Sequence, residues 1–288
     1  MLIISAPAKL NLTLEVLAER PDGFHEIRSI VQTISLCDDI RFQRSHDVTF
    51  RADTPDWVPG KSLLSETVSL LQETTGCAKG VNIEISKRIP LVAGLGGDSS
   101  GAAATLCGLN QLWELGLSSK ELLELAVRLG SDVSFFLYGG TVLVGGKGEV
   151  VTPVPPMPHR WFVLVAPRVP RIPQKTAQLY SSLQDNHYSD GRITDNLVEA
   201  LKAGKEIPAS LLFNTFENVA FTRFVELSVY RERMMKTGAD SVHLAGSGPI
   251  LFTMLAERCR AEELYLRFQR QGMETYIVDT LPEIDRMA

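Results

Sequence analysis

Residues 90 to 104 read Pro90-Leu91-Val92-Ala93-Gly94-Leu95-Gly96-Gly97-Asp98-Ser99-Ser100-Gly101-Ala102-Ala103-Ala104, a glycine-rich turn that runs into a helix start. Three glycines in four positions admit positive φ and leave no side chains in the way of a bulky ligand. Two hydroxyls follow, where a helix N-cap and its neighbour are expected. Backbone N–H groups then converge beside the positive end of the helix dipole, a binding site for an anion such as phosphate. This is not a Walker A loop, because Asp98 stands where that loop needs a lysine. Nor is it a dinucleotide fingerprint, since Gly94-Leu95-Gly96-Gly97-Asp98-Ser99 lacks the final glycine. An ordinary glycine-rich turn capping a helix is the plainer alternative.

The elements around the loop are mixed. Leu10, Leu12, Leu14 and Val16 alternate with Asn11, Thr13 and Glu15, the period of a half-buried strand, and Val81 to Ile85 alternates likewise. Leu63, Leu64, Val68, Leu70 and Leu71 place an amphipathic helix over Ser62 to Thr75. Ala102, Leu106, Leu109 and Trp113 continue the helix that leaves the loop. Ser118 and Glu121 form a capping-box signature for a helix over Glu121 to Leu129 that Gly130 can end. With no regular βαβ repeat, the fold class is α+β. Seven prolines between Pro153 and Pro173 flank a strand-like Trp161-Phe162-Val163-Leu164-Val165, and a domain junction is expected near residues 153 to 160. The expected domains are 1–155 and 156–288. Helices are predicted over Asn196 to Ala203, Asn214 to Lys236 and Ala261 to Gln271, with strands at His243 to Ala245, Ile250 to Phe252 and Thr275 to Val278.

Composition narrows the class. A chain of 288 residues with net charge -5 and no long basic block argues against a broad nucleic-acid surface. Cys37, Cys77, Cys107 and Cys259 are scattered, with no C-x-x-C pair or zinc-ligand spacing, which favours thiols in a reducing compartment over a disulfide framework. Met1 to Ala6 lacks the charged n-region of a signal peptide, and no apolar run reaches membrane-spanning length. A soluble cytoplasmic protein, without nucleic-acid or membrane partners, is expected. Oligomeric state is not legible.

Three segments taken together resemble a known family. Pro7-Ala8-Lys9-Leu10-Asn11-Leu12, the loop at residues 90 to 104, and Leu244-Ala245-Gly246-Ser247-Gly248-Pro249 are similar to the three motifs of the GHMP kinases. Arg20-Pro21-Asp22-Gly23-Phe24-His25 and Gly130-Ser131-Asp132-Val133-Ser134-Phe135-Phe136 are similar to the branch serving the non-mevalonate isoprenoid route, whose alcohol substrate carries a cytidine diphosphate. The likeness runs from Ser5 to Phe252. It implies a two-domain GHMP kinase fold, with an N-terminal ATP-binding half like ribosomal S5 domain 2, a ferredoxin-like C-terminal half, and the active site between them. It also implies transfer of the γ-phosphoryl group of ATP to a substrate hydroxyl, with ATP and Mg²⁺ as cofactors and the cytidine diphosphate compound as small-molecule partner.

Phosphoryl transfer to an alcohol needs the hydroxyl proton accepted and the phosphoryl charge stabilised, with little covalent work besides. The resemblance gives the first role to Asp132 and the second to Lys9. On the residues alone, a solvated strand-end lysine is the preferred reading of Lys9 and an N-cap after Gly130 that of Asp132, and the resemblance reverses both. Asn11 shares a strand face with Lys9, and the resemblance puts it against the alcohol end of the substrate. Thr176-Ala177-Gln178-Leu179-Tyr180 is similar to the segment that lays an aromatic ring over cytosine, with Phe24 on the other face and His25 reading the base edge. ATP phosphates would lie on Gly94, Leu95, Gly96, Gly97, Asp98, Ser99, Ser100 and Gly101. Gly246, Ser247 and Gly248 would support that loop or the diphosphate, or form a simple β-turn. No metal ligand is assigned beyond one of the two serine hydroxyls.

Two positions depart from the family pattern. Ser62-Leu63-Leu64 stands where an adenine-contacting Asn-Leu-Val is usual, so that contact is not carried over. Asp98 replaces a glycine. A carboxylate beside a triphosphate is unfavourable unless it faces a cation or solvent, so Asp98 is expected to point away or to sit near magnesium. The rival readings are a mevalonate- or homoserine-type kinase, which the segment Pro21 to His25 disfavours, and an inactive metabolite-binding relative, which the presence of both Lys9 and Asp132 disfavours.

Overall fold

The computed structural model describes residues 1–170 and 173–282. The expected second domain thus includes residues 171, 172 and 283–288, which lie outside the described residues. The spine of the fold is a 21-residue strand, β3 (His25–Ser45). It pairs antiparallel with β1 (Leu2–Asn11), β2 (Thr13–Glu19), β5 (Gly80–Ser86) and β6 (Thr141–Gly145). An eight-stranded sheet is completed by β4 (Val48–Ala52) parallel to β5, β9 (Phe213–Asn214) parallel to β2, and β7 (Val150–Pro153) beside β6. A second, four-stranded antiparallel sheet runs β10 (His243–Leu244), β11 (Leu251–Leu255), β8 (Trp161–Ala166), β12 (Glu274–Asp279).

Helices α1 (Leu63–Thr75), α2 (Gly97–Trp113), α3 (Ser119–Leu129) and α4 (Ser131–Tyr138) cover one face of the larger sheet. Their contact is one apolar core, in which Ala102, Leu106, Leu109 and Trp113 of α2 meet Ile40, Phe42 and Val81 of the sheet. The second half supplies α5 (Lys175–Tyr180), α6 (Arg192–Lys202), α7 (Glu217–Arg223), α8 (Val225–Thr237) and α9 (Arg258–Arg270). A further core joins the halves: Ala8, Leu10, Leu12 and Ile30 from the first pack with Phe162, Leu164 and Phe252 from the second. Burying several such side chains, each contributing roughly 1.5–3 kcal/mol, makes this junction a packed surface rather than a linker.

The predicted elements are recovered with instructive shifts. Ser62 caps α1, accepting from the Leu64 N–H at 3.2 Å, and Ser118 with Glu121 forms the expected capping box on α3. The alternation from Leu10 to Val16 predicts one half-buried strand, but the chain turns at Leu12 and both faces are buried. The polar face is satisfied inside: the Ile30 N–H donates to Thr13 Oγ1, and the Thr194 N–H of α6 donates to Glu15. The single helix predicted over Asn214 to Lys236 is three elements, β9, α7 and α8, with the break at Phe224, whose φ of -116° and ψ of 84° are not helical. Phe224 is drawn into the core there, and that burial overrides helix continuity.

Candidate active site

The site begins with a bulge. Pairing of β1 with β3 shifts register between Pro7 and Ala8, directly before Lys9, a device that re-aims side chains beside functional sites. The Lys9 N–H donates to the Leu95 carbonyl at 2.9 Å, which ties the strand to the glycine loop. Its ammonium donates to Asn11 Oδ1 at 2.7 Å, and Asn11 Nδ2 donates to Ser29 Oγ at 2.9 Å. Lys9, Asn11 and Ser29 are all buried, so the chain of donors holds the ammonium in one place. Asp132, second residue of α4, brings Oδ2 to 3.7 Å from Lys9 Nζ, and its side chain stays half exposed. Asp132 is therefore inside the helix, and the cap position belongs to Gly130.

The glycine loop delivers α2 to the same place. The helix starts at Gly97, with Gly96 at its N-cap in the left-handed region (φ 72°) and no side chain capping it. Ser99 and Ser100 thus lie within the first turn rather than at the cap where the sequence places them. The cause is Gly96 itself, whose positive φ turns the chain into the helix three residues early. The unpaired N–H groups of a helix's first turn are then left for an anion, at the positive end of its dipole. Gly97, Asp98 and Ser99 line a cavity of about 480 Å³ together with Trp57, Val58, Lys61, Ser62, Lys87 and the loop from Pro90 to Gly96. Lys87 is held there by the buried carboxylate of Asp38, which also accepts from the Arg88 and Ile89 N–H groups at 2.7 and 2.8 Å. Gly101 does not serve the cavity: it packs against Leu64, where a Cβ would meet Cδ1 at 2.7 Å. Ser100 Oγ is buried without a hydrogen-bond partner.

The two departures from the family pattern meet each other. Ser62 Oγ donates to Asp98 Oδ1 at 2.6 Å, and the Leu63 N–H donates to Asp98 Oδ2 at 3.1 Å. The carboxylate in the first turn of α2 therefore caps α1. It is turned away from the bare N-terminus of its own helix, as its charge beside an anion site requires.

The third glycine motif closes the site from the second half. Gly94 and Gly246 both have positive φ, 80° and 55°, and their chains touch: a Cβ on Gly94 would lie 2.4 Å from the Ala245 carbonyl oxygen. A Cβ on Gly246 would meet Gly94 O at 3.1 Å, Asn11 Oδ1 at 3.3 Å and Lys9 Nζ at 3.4 Å. Buried Asn214, unassigned from the sequence, fixes this turn by donating to the Leu244 and Gly246 carbonyls at 2.8 and 2.7 Å. Only tertiary contact reveals it, since β9 is two residues long. Thr176 Oγ1 bonds Ser247 Oγ at 2.8 Å, and Lys175 donates to the Gly248 carbonyl. Burial pulls the Lys175 ammonium down to about 8.

Lys9, Asn11, Asp132, Thr176, Tyr180, Gly246 and Ser247 line a second cavity, of about 240 Å³, with Ser29, Lys147 and Phe216. Gly94 and Gly96 line both cavities. The two spaces thus meet beside the Lys9 ammonium. His25 stacks on Tyr180 with centroids 4.5 Å apart and planes 22° from parallel. Phe216 meets Tyr180 edge-on at 4.9 Å, and burial, then the charge of Asp132, pushes the Tyr180 phenol up to about 12, so it stays a neutral donor. Phe24 is 53% exposed, and the Lys147 ammonium lies over its ring, 4.4 Å from the centroid.

Residues 62–140 match the model of the GHMP kinases N terminal domain. Over 285 residues, 99% of this chain and 100% of the relative, the sequence is 48% identical to 4-diphosphocytidyl-2-C-methyl-D-erythritol kinase of Dehalococcoides mccartyi. The chain belongs to this family of kinases. A solved 4-(cytidine 5'-diphospho)-2C-methyl-D-erythritol kinase superposes with a TM-score of 0.82 at 32% identity, covering 97% of this chain and 99% of that one. Homoserine kinase from Cytophaga hutchinsonii, at TM-score 0.67 and 18% identity over 98% and 94% of the two chains, shares the fold. The chain is accordingly an ATP-dependent small-molecule kinase with the two-domain α+β GHMP kinase fold. No helix among the described residues is long and apolar enough to cross a membrane.

Proposed function

We propose that the protein transfers the γ-phosphoryl group of ATP to the 2-hydroxyl of 4-diphosphocytidyl-2-C-methyl-D-erythritol. One observation carries this reading. Lys9 and Asp132 converge at 3.7 Å where the cavity holding the helix N-terminus meets the cavity lined by Tyr180, on which His25 stacks.

The triphosphate lies on the N–H groups of Gly97, Asp98 and Ser99, and the purine lies against Trp57 and Val58, which line the same cavity. The substrate hydroxyl sits between the Asp132 carboxylate, which accepts its proton, and the Lys9 ammonium, which meets the charge developing on the transferring phosphoryl. Asn11 orients that ammonium. Magnesium fits as a companion of the triphosphate rather than as an ion the protein holds alone. Among the described residues no three His, Cys, Asp or Glu side chains cluster to hold one, and both oxygens of Asp98 are engaged by α1. A nucleotide-borne Mg²⁺ needs few protein ligands, and Ser99, which lines the nucleotide cavity, would supply its hydroxyl as one. When bound, the ion supplies charge neutralisation on the phosphates. The cytosine lies against Tyr180 and the segment Phe24 to His25.

The test is a phosphorylation assay offering mevalonate, homoserine and the cytidine diphosphate alcohol side by side. Turnover of the last alone is expected. Preferential turnover of mevalonate or homoserine would reverse the assignment, and binding of ATP and substrate without turnover would make the protein an inactive relative.

A further inference from the structure

The mechanism leaves one charge in the substrate cavity unused. Of the residues lining it, Lys9 and Lys147 carry positive charge and Asp132 negative. Lys9 is committed to the reacting end by Asn11 and Asp132. A substrate joining its alcohol to cytosine through a diphosphate must lay two phosphates along this cavity, which Lys147 lines.

Lys147 is held there by its backbone and left open at its tip. It occupies the turn between β6 and β7, flanked by Gly146 and Gly148, both at positive φ. That turn is clamped to the strand that starts at His25: the Ile27 N–H donates to the Gly146 carbonyl at 2.8 Å, and the Gly146 N–H donates to Glu26 Oε1 at 3.1 Å. On its other side it abuts α4 beside Asp132, since a Cβ on Gly148 would stand 3.0 Å from Ser131 Cβ. The Lys147 N–H donates to Glu149 at 2.7 Å, which fixes the main chain and leaves the ammonium over the exposed face of Phe24. A ring face is a weaker partner for an ammonium than a phosphate oxygen.

We propose that Lys147 is the cation that binds the diphosphate of the substrate, and that its seat over Phe24 is the resting position it leaves when the substrate enters. The exchange uncovers the Phe24 ring for the base as the charge is neutralised, so base and diphosphate recognition are coupled through one side chain. This rests on the cytidine diphosphate reading above.

Cytidine diphosphate and cytidine, which differ only in the charged group, provide the test by calorimetric titration of the wild type, Lys147→Met and Lys147→Arg. The wild type should bind the diphosphate more tightly than the nucleoside. Lys147→Met should lose at least about tenfold in diphosphate affinity, as expected for a charge-assisted bond, while cytidine affinity should not fall, because the ammonium no longer competes for the Phe24 ring, and this also reports an intact fold. Lys147→Arg should recover most of the loss, and the salt dependence of diphosphate binding should flatten in Lys147→Met. Unchanged diphosphate affinity in Lys147→Met, or equal losses for both ligands, overturns the assignment of Lys147 alone. A wild type that binds neither ligand overturns the cytidine reading and this inference with it.

Discussion

At the scale of single residues, the site is a chain of constraints ending on one carboxylate. Ser29 holds Asn11, Asn11 holds the Lys9 ammonium, and the ammonium faces Asp132. Asp132 itself is half exposed and open to a ligand, as a proton acceptor for a bound hydroxyl must be. Asp132→Asn keeps the shape and removes the basic oxygen. Steady-state kinetics should show kcat lowered by about 10²–10⁴-fold, with KM for ATP changed less than about threefold, because Asp132 does not line the nucleotide cavity. A fall in kcat smaller than about tenfold would mean that the carboxylate positions the hydroxyl without accepting its proton. Lys9, Asn11 and Asp132 are named from the sequence through the motifs that carry the family resemblance, and Ser29, which lies outside those motifs, is not. The stacking of His25 on Tyr180 was not legible, since it brings together side chains 155 positions apart.

At the scale of elements, Asp98 and Ser62 show how two local anomalies become one solution. Read alone, an acid in an anion-binding turn is an electrostatic fault and a serine at the head of α1 is a lost base contact. In the fold, the acid caps α1 and the serine donates to it, and the N-terminus of α2 stays bare. The sequence shows both residues but not their pairing, because a side chain's direction in a first turn depends on which neighbouring helix presents a donor. If the pair works as a unit, Ser62→Ala and Asp98→Ala should each cost about 1 kcal/mol in urea unfolding, the usual value of a helix cap. The double variant should cost less than the sum, by roughly 0.5 kcal/mol or more. Additive losses would show that the contact contributes nothing beyond its separate parts. The same limit explains the helix predicted over Asn214 to Lys236. Its helical periodicity is real in α7 and α8, but the core takes Phe224 between them and the sheet takes Asn214 before them.

At the scale of the whole molecule, two backbone turns from opposite halves close the site, approaching too closely for a side chain at Gly94. Composition and periodicity gave the α+β class, and the motifs gave the three turns. Their closeness is a property of the packed junction between the halves, where Leu10 and Leu12 meet Phe162 and Phe252. Gly94 tests that closeness, and Gly76 controls for strain. Both have positive φ, 80° and 68°, so alanine at either carries the left-handed penalty, roughly 1–2 kcal/mol. A Cβ at Gly76 meets nothing within 4 Å, whereas one at Gly94 would lie 2.4 Å from the Ala245 carbonyl oxygen, a backbone atom that cannot swing aside. The turns must therefore separate in Gly94→Ala. Because Gly94 lines both cavities and Gly246 touches Asn11 and Lys9, their separation moves the ammonium relative to the nucleotide. Thermal melts should show Gly94→Ala less stable than Gly76→Ala, and kcat should fall at least about tenfold in the first while staying near wild type in the second. Equal kcat values in the two variants would mean that the approach of the turns serves the fold and not the reaction.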